Sequence, residues 1–335
     1  MLSKIKKYTQ LNGITGAEKV VKEEFKKVFT QNKTPIFTDN LGSICTLIPS
    51  QNKKVRNIGI FAHMDEVGLL IKHIQDNGNI KISNVGGLAC KNLINQRVTI
   101  KKEAKEYIGV ILANYEKEIN KLDIHDLEVD FGFLNKEEVA KLDIQVGDYI
   151  TFLGDLEALS NDKYVTKAAD NRIGCAIVEK LYEDLVSQEH NCNIYLGATV
   201  QEEIGLKGAG TLLRSLDIEF DQIIVVDVSP VDNLETNKLG AGALLRIAEP
   251  RGLYNYQGNL ELKEVAEQNS IAYQPYFSKG GTDGAMMLIT GIGNKTNAIC
   301  IPALNLHTCN TIFNINDVSS ALKIIGAFIA NENKK

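Results

Sequence analysis

The stretch NIGIFAHMDEVG, residues 57–68, begins as an apolar run and ends with a histidine, two acidic residues and a glycine. The apolar part predicts a buried strand, and polar groups at the end of such a strand must find partners or water. The stretch is therefore either a capped acidic loop or the start of a site that contains His63 and Asp65. The pattern of the chain changes at the same point, and this change decides the predicted fold.

Helix and strand patterns alternate on both sides of the middle of the chain. After residue 165, NRIGCAIVEKLYEDLV (171–186) predicts a helix, and QIIVVDV (222–228) predicts a strand of the apolar kind found in sheets covered on both faces. The first 66 residues have the same character. We therefore expect one α/β domain made of residues 1–66 and 161–335, with a mixed, mostly parallel sheet sandwiched by helices.

The intervening residues 67–160 predict short strands and little helix. A hairpin is expected around Asn77-Gly78, because this dipeptide favours a two-residue turn. Glu66 and Gly68 have no predicted role beyond the exit from the α/β domain. The segment is expected to fold as a small inserted β-rich domain.

Composition excludes several classes of protein. The chain has 335 residues, more than the roughly 250–300 that one core supports, so two domains are expected. Its net charge of −5 argues against a nucleic-acid partner. No stretch approaches the ~18–20 apolar residues of a membrane span, and the start lacks a signal-peptide pattern. Six scattered cysteines without a CxxC pair predict reduced thiols and a cytoplasmic location.

Polar residues follow several predicted strands. Ligands of an open α/β sheet gather at the carboxyl ends of its strands, so these residues are expected to lie together. The candidates are His63, Asp65, Glu202, Glu203, Asp227 and His307, with Asp170 just before a helix. Each alone has an ordinary explanation, such as a helix cap or a solvated turn. Together, histidine and carboxylate without cysteine favour a catalytic site for Zn, Mn or Co.

The chain contains five motifs, AHMDEVG (62–68), AADNRIGCA (168–176), TVQEEIGLKGA (199–209), VVDVS (225–229) and GGTDGA (280–285). In order and approximate spacing they resemble the motifs of the tetrahedral (TET-type) aminopeptidases, co-catalytic metallopeptidases of family M42 that include glutamyl and deblocking aminopeptidases and endoglucanase M-like proteins. The resemblance covers nearly the whole chain, including the inserted domain, which in that family is PDZ-like or barrel-like.

The resemblance implies two divalent ions, Zn, Co or Mn, in each chain. One would be bound by His63, Asp170 and Asp227, and the other by Asp170, Glu203 and His307. Glu202 would be the general base, Asp65 would orient His63, and the peptide bond between Asp170 and Asn171 would be cis. The implied activity is removal of N-terminal residues from short peptides. The implied assembly is a homo-oligomer, from a dimer to a dodecamer, with residues 67–160 as a dimerisation or lid domain.

The loops on the substrate side match the family's motifs only in part. Gly280 and Gly281 are expected to permit a tight loop beside the substrate. Thr282 and Asp283 are expected either to contact the substrate or to cap the following helix. The segment ALNLHTCN (303–310) keeps His307 but lacks the Arg-Tyr and Ser-Pro pairs that commonly flank it in the family. This departure leaves the specificity open.

Three other functions remain possible at this point. The ligand set does not exclude a related dinuclear amidohydrolase, deacylase or dipeptidase that acts on small amides. A glycoside hydrolase would need two carboxyl groups about 5–9.5 Å apart across a sugar, which the shared His and carboxylate set fits less well. A non-catalytic relative would be favoured by a missing ligand, and none of the expected residues is missing.

Thr15 and Glu18 also fit a capping box at the start of a helix.

Overall fold

The computed structural model describes residues 1–52, 55–114, 116–231 and 236–334. The helices in these ranges are α1 (Leu2–Thr9), α2 (Lys19–Gln31), α3 (Cys90–Leu93), α4 (Lys136–Lys141), α5 (Ala169–Leu185), α6 (Lys207–Leu216), α7 (Tyr256–Gln268), α8 (Asp283–Ile289) and α9 (Ile315–Glu332). The strands of the large sheet are β1 (Ile36–Thr38), β2 (Ile44–Ile48), β3 (Asn57–His63), β10 (Glu157–Ala158), β11 (Lys163–Thr166), β12 (Asn193–Thr199), β13 (Gln222–Pro230), β14 (Ala243–Glu249), β15 (Gly252–Leu253), β16 (Tyr273–Phe277), β17 (Thr296–Leu304) and β18 (Thr311–Asn314).

The large sheet has the strand order β1-β2-β12-β3-β13-β17-β18-β11-β10, and β14 joins β17 as a branch that also carries β15 and β16. The central strands β12, β3, β13 and β17 are parallel, whereas antiparallel strands extend the sheet on both sides. The predicted fold class is therefore confirmed, with the parallel pairing concentrated in the centre. This centre places the carboxyl ends of four strands at one edge.

The two faces of the sheet are covered by different helices. Along β13, Ile224 and Val226 belong to an apolar cluster that includes residues of α2, α5, α7 and α9, while Ile223 and Val225 belong to a second cluster that includes residues of α6 and α8. Successive side chains of a strand point to opposite faces, so an all-apolar strand requires apolar cover on both sides. The run QIIVVDV has this requirement, and the helices meet it.

The inserted segment forms a closed barrel with the strand order β4-β5-β8-β7-β6-β9. Its strands are β4 (Gly68–Ile74), β5 (Ile80–Val85), β6 (Arg97–Lys102), β7 (Lys105–Ala113), β8 (Leu127–Asp130) and β9 (Tyr149–Phe152). The predicted hairpin joins β4 to β5. Gly78 lies there with φ 87°, and a Cβ atom at this position would be 2.5 Å from the carbonyl oxygen of Phe133. The barrel ends at Phe152, and β10 pairs with β11 in the large sheet.

Two expectations drawn from composition can be compared with this fold. In the described ranges, no helix is both long and apolar enough to cross a bilayer. All six cysteines lie in these ranges and are unpaired, and all except Cys90 are buried. The five buried cysteines are placed as structural thiols of the core, whereas Cys90 is only partly buried.

A buried ion cluster holds the start of the barrel insertion in place. The Glu66 carboxylate accepts hydrogen bonds from Lys167 Nζ at 2.9 Å, Arg172 Nη2 at 3.2 Å and the Gly13 amide at 3.0 Å. Arg172 also donates to three carbonyl oxygens of the N-terminal segment. Glu66 therefore ties the end of β3, the start of α5 and the N-terminal segment together, a role that the sequence did not reveal.

Glu66→Gln should lower the free energy of unfolding by about 3–5 kcal/mol, because two buried cations would lose their anionic partner. Urea denaturation of the purified protein measures this change. Glu118→Gln is the matched control, since Glu118 and Lys121 form an exposed pair whose loss should have little effect. Equal stability of Glu66→Gln and the unsubstituted protein would refute the role of this cluster.

Candidate metal centre

Adjacent parallel strands bring the predicted site residues to one edge of the sheet. His63 ends β3, Glu202 and Glu203 follow β12, and Asp227 lies near the end of β13. His307 follows β17, and Asp170 lies at the start of α5, which packs on β3 and β13. Since β12, β3, β13 and β17 are neighbours with the same direction, their carboxyl ends form a common site, as expected for an open α/β sheet.

Asp170 lies between the two histidines. Its Oδ1 atom is 3.0 Å from His63 Nε2, and its Oδ2 atom is 3.5 Å from His307 Nε2. His63 Nε2 is also 3.5 Å from Asp227 Oδ1, and His307 Nε2 is 3.3 Å from Glu203 Oε2. The arrangement is thus two neighbouring nitrogen and oxygen clusters that share one carboxylate. The Asp170–Asn171 peptide bond is cis, as the resemblance implied.

The second ring nitrogen of each histidine faces an oxygen acceptor. His63 Nδ1 is 3.2 Å from the Asp65 carbonyl oxygen and 3.4 Å from the Asp65 carboxylate. His307 Nδ1 is 2.7 Å from the carbonyl oxygen of Gly87, a residue of the barrel segment. Such acceptors favour a proton on Nδ1 and leave Nε2 free to bind a metal ion. Gly87 is a site residue that sequence reasoning missed.

The carboxylate of Asp65 also holds the two glutamates. It accepts hydrogen bonds from the backbone amides of Glu202 at 3.1 Å and Glu203 at 3.2 Å. The Thr15 hydroxyl donates to the same carboxylate at 2.6 Å. Asp65 is fully buried, so these donors replace the water that its charge would otherwise need.

The predicted capping box at Thr15 and Glu18 is wrong. Glu18 occupies the N-cap position of α2 without a side-chain cap, and Thr15 hydrogen bonds to Asp65 instead. The Thr15 hydroxyl can either donate to the buried carboxylate or accept from a backbone amide. The hydrogen bond to the charged carboxylate is the stronger of the two. Glu18 accepts hydrogen bonds from the amides of Gly16 and Gln201. The TGAE motif therefore supports the loops of the site. The sequence signal for this role is the presence of polar residues just before an apolar helix.

The charges of the site favour a bound cation. Burial, reinforced by the charge of Asp170, raises the pKa of Glu203 to about 8. Burial likewise raises the pKa of Glu202 and Asp227 above their usual range. Glu203 Oε1 is buried and has no hydrogen-bond partner among the described residues. A cluster of buried carboxylates with a free oxygen fits a divalent ion, and imidazole with carboxylate is a donor set suited to Zn, Co or Mn.

The histidines and Asp170 support each other's charged forms. Burial opposes the charged form of His307, but the hydrogen bond to Asp170 and the charge of Glu203 outweigh it and raise its pKa to about 10. Burial alone would raise the pKa of Asp170, yet hydrogen bonds from His307 and His63 hold it below the usual range. For His63, the charge of Glu202 and the nearby carboxylates outweigh burial and raise the pKa.

A cleft of about 560 Å³ opens onto the site. Its wall includes the acidic residues, His307, Gly87 and the segment from Ser278 to Gly281. Gly280 and Gly281 line this cleft, and Lys279 is exposed at it. The cleft therefore gives a ligand direct access to both carboxylate clusters.

Thr282 and Asp283 lie behind the surface of the cleft and are buried. Thr282 is the N-cap of α8, where its hydroxyl accepts a hydrogen bond from the Gly284 amide at 3.2 Å. The hydroxyl of Thr199 donates to the Asp283 carboxylate. Burial raises the pKa of Asp283 to about 7. Of the two alternatives for Thr282, its observed contacts match the helix cap.

Comparison with known proteins identifies the family. Residues 42–324 match the model of the M42 glutamyl aminopeptidase family, so the chain belongs to this family. The predicted family and the predicted class of enzyme, a hydrolase acting on peptide bonds, are confirmed.

Individual relatives align with this chain over nearly its full length. The glutamyl aminopeptidase of Lactococcus lactis is 29% identical, over 99% of this chain and 97% of its own. An aminopeptidase structure from the archaeon Desulfurococcus kamchatkensis has a TM-score of 0.90 with 30% identity, over 97% of this chain and 93% of that one. The TET1 peptidase of Pyrococcus horikoshii has a TM-score of 0.88 with 28% identity, over 98% of both chains.

The metal-free protein should lose stability as the pH rises from about 5 to about 8. Glu203 and Asp283 have raised pKa values in the folded state, so their contribution is present below their usual pKa and is lost as the pH passes about 8 and about 7. The raised pKa of His307 likewise gives a contribution to stability that is lost as the pH rises above the usual pKa of histidine. The pKa of Asp170 is lowered, so Asp170 titrates below this pH range and does not affect the trend.

Melting temperatures of chelator-treated protein across this pH range measure the effect. Glu203→Gln should show a weaker pH dependence, and restored divalent metal should reduce the loss. A metal-free protein that becomes more stable between about pH 5 and about pH 8 would contradict this description of the site's electrostatics.

Proposed function

We propose that this protein is a dinuclear metal-dependent aminopeptidase that removes N-terminal residues from short peptides. The observation that carries the proposal is the position of Asp170, whose two oxygen atoms face two different histidines. A shared carboxylate is what a pair of co-catalytic ions needs. Membership in an aminopeptidase family supports the reaction, and the buried donor set supports the use of divalent metal.

The residues of the site divide into two sets of ligands. His63, Asp170 and Asp227 would hold one ion, and Asp170, Glu203 and His307 would hold the other. When bound, the two ions supply Lewis-acid chemistry, which acidifies water and polarises the peptide carbonyl. Zn, Co and Mn all suit these ligands. Asp65 would orient His63 from behind through its carbonyl and carboxylate oxygens.

Glu202 is the proposed general base. It lines the cleft, and its backbone amide is fixed by Asp65. Burial, together with the charges of Asp227 and Glu203, raises the pKa of Glu202, and a raised pKa suits a carboxylate that accepts a proton and later returns it. Glu202 would take the proton of the attacking water and later donate it to the leaving amine.

The acidic end of the cleft supports action at a free amino terminus. Carboxylates gathered there favour a substrate group that is positive or donates hydrogen bonds, as an α-amino group does. Gly280 and Gly281 would leave room for the substrate backbone beside this end. Thr282 and Asp283 would support the same loop from beneath, since both are buried.

We also propose a role for each of the two domains and an assembly of several copies of the chain. Residues 1–66 and 161–335 would form the catalytic domain, and residues 67–160 would contribute to contacts between copies of the chain. The P. horikoshii TET1 peptidase can assemble into a tetrahedron or a large octahedral shell, which supports a homo-oligomer here. The free cysteines support a cytoplasmic location.

A substrate panel tests the function directly. The protein is stripped with a chelator, reloaded with Zn, Co or Mn, and assayed on aminoacyl anilides and on N-acyl amino acids. We expect hydrolysis of the anilides that disappears with the metal and returns with it. Hydrolysis of N-acyl amino acids alone would favour a deacylase. Cleavage of cellulose derivatives that survives the chelator would favour a glycoside hydrolase.

Glu202→Gln should retain both ions but lower kcat by roughly 10²- to 10⁴-fold, because the amide cannot accept the proton. Elemental analysis and steady-state kinetics of the same preparation measure the two effects. Glu264→Gln, on the exposed side of α7, is the control and should leave kcat unchanged. A Glu202→Gln variant that is loaded with metal and active would overturn the assignment.

A further inference from the structure

The two proposed histidine ligands differ in how they are held. His63 and Asp227 lie within strands of the central sheet, and both are buried. His307 lies on the loop of residues 305–310 between β17 and β18, here called the histidine loop, and 31% of its side chain is exposed. The sheet alone therefore does not fix the position of His307.

The backbone of the histidine loop is irregular. Asn305 and His307 both have positive φ angles, 56° and 57°, in the left-handed region that residues other than glycine rarely adopt. Surrounding structure must hold residues in this region. Within the loop, the hydroxyls of Thr308 and Thr311 donate to the Asn305 carbonyl oxygen. These bonds shape the loop but do not connect it to the rest of the protein beyond β18.

The barrel segment supplies external contacts. The Gly87 carbonyl oxygen is 2.7 Å from His307 Nδ1, and Gln96 Oε1 accepts a hydrogen bond from Cys309 Sγ at 2.6 Å. Gly154, just after the last barrel strand, lies so close that a Cβ atom there would be 2.7 Å from the Cys309 carbonyl oxygen. The histidine loop thus contacts barrel-side residues at His307 itself and at Cys309.

Cys309 is the strongest of these connections because its side chain is buried in the barrel. Only 6% of Cys309 is exposed, and it belongs to the apolar core of the barrel. The other buried members of that core, among the described residues, lie between residues 67 and 152. Cys309 is therefore a residue of the catalytic half of the chain that is anchored in the inserted half, two positions after a proposed ligand.

We infer that the barrel, through Cys309 and its partner Gln96, positions His307 and so sets the affinity of one of the two metal positions. Cys309 is then a positioning residue, and the barrel completes the metal centre. The inference rests on the proposed function, since it requires His307 to bind metal. The position formed by His63, Asp170 and Asp227 should not depend on Cys309, because none of these three residues lies on the histidine loop.

A calorimetric titration of the metal-stripped Cys309→Ala variant with Zn²⁺ tests this inference. We expect one ion to bind as in the unsubstituted protein and the other to bind roughly 10- to 100-fold more weakly, as when a group that orients a metal ligand is removed. Saturating Zn²⁺ should restore kcat. Cys309→Ser keeps a donor for Gln96 and should bind both ions nearly as before.

The matched control is Cys192→Ala, which removes a thiol of equal size from a buried position just before β12. It should leave both affinities unchanged. Gln96→Ala provides a second route if Cys309→Ala folds poorly, because Gln96 is only partly buried and its loss removes the same hydrogen bond. It should weaken the same single ion.

Two results would overturn the inference. One is unchanged binding of both ions in Cys309→Ala and Gln96→Ala. The other is an equal loss at both positions together with a lower melting temperature, which would indicate a merely structural role. A failure of the proposed function is distinguishable, since the unsubstituted protein would then fail to bind two ions or to hydrolyse aminoacyl substrates.

Discussion

The buried carboxylate of Asp65 is the group on which the geometry of the site depends. Its two oxygen atoms accept hydrogen bonds from the backbone amides of Glu202 and Glu203 and from the Thr15 hydroxyl. A charge in this position is tolerated only when donors surround it, so the carboxylate and the loops that supply the donors fix each other. Asp65, two residues after the end of β3, thereby sets the placement of the proposed base and of one proposed ligand, while its carbonyl oxygen faces His63.

Much of this arrangement was predictable because it follows from local rules. Apolar runs predict the central strands β3 and β13, and parallel strands place their carboxyl ends together. The polar residues at those ends could therefore be predicted to meet. The strands β14 and β16 were not predicted, because each is recognised only through its pairing with strands distant in the chain.

The supporting residues were harder to predict for the same physical reason. Thr15 fits a helix cap locally, and its actual partner lies fifty positions away. Glu66 follows a strand like any loop acid, yet its partners Lys167 and Arg172 come from beyond the barrel insertion. Gly87 offers only a backbone carbonyl oxygen to His307, which no side-chain pattern can reveal. Contacts that close across an insertion leave little trace in the local sequence.

In the proposed site Asp170 is shared by two metal ions, and metal stoichiometry tests this sharing most directly. Stripped protein is reloaded with Zn²⁺, dialysed and analysed for metal, beside Asp170→Asn treated in the same way. We expect two ions for each chain of the unsubstituted protein and loss of both positions in the variant, because each position loses the same ligand. Two tightly bound ions in Asp170→Asn, or a single ion in the unsubstituted protein, would contradict it.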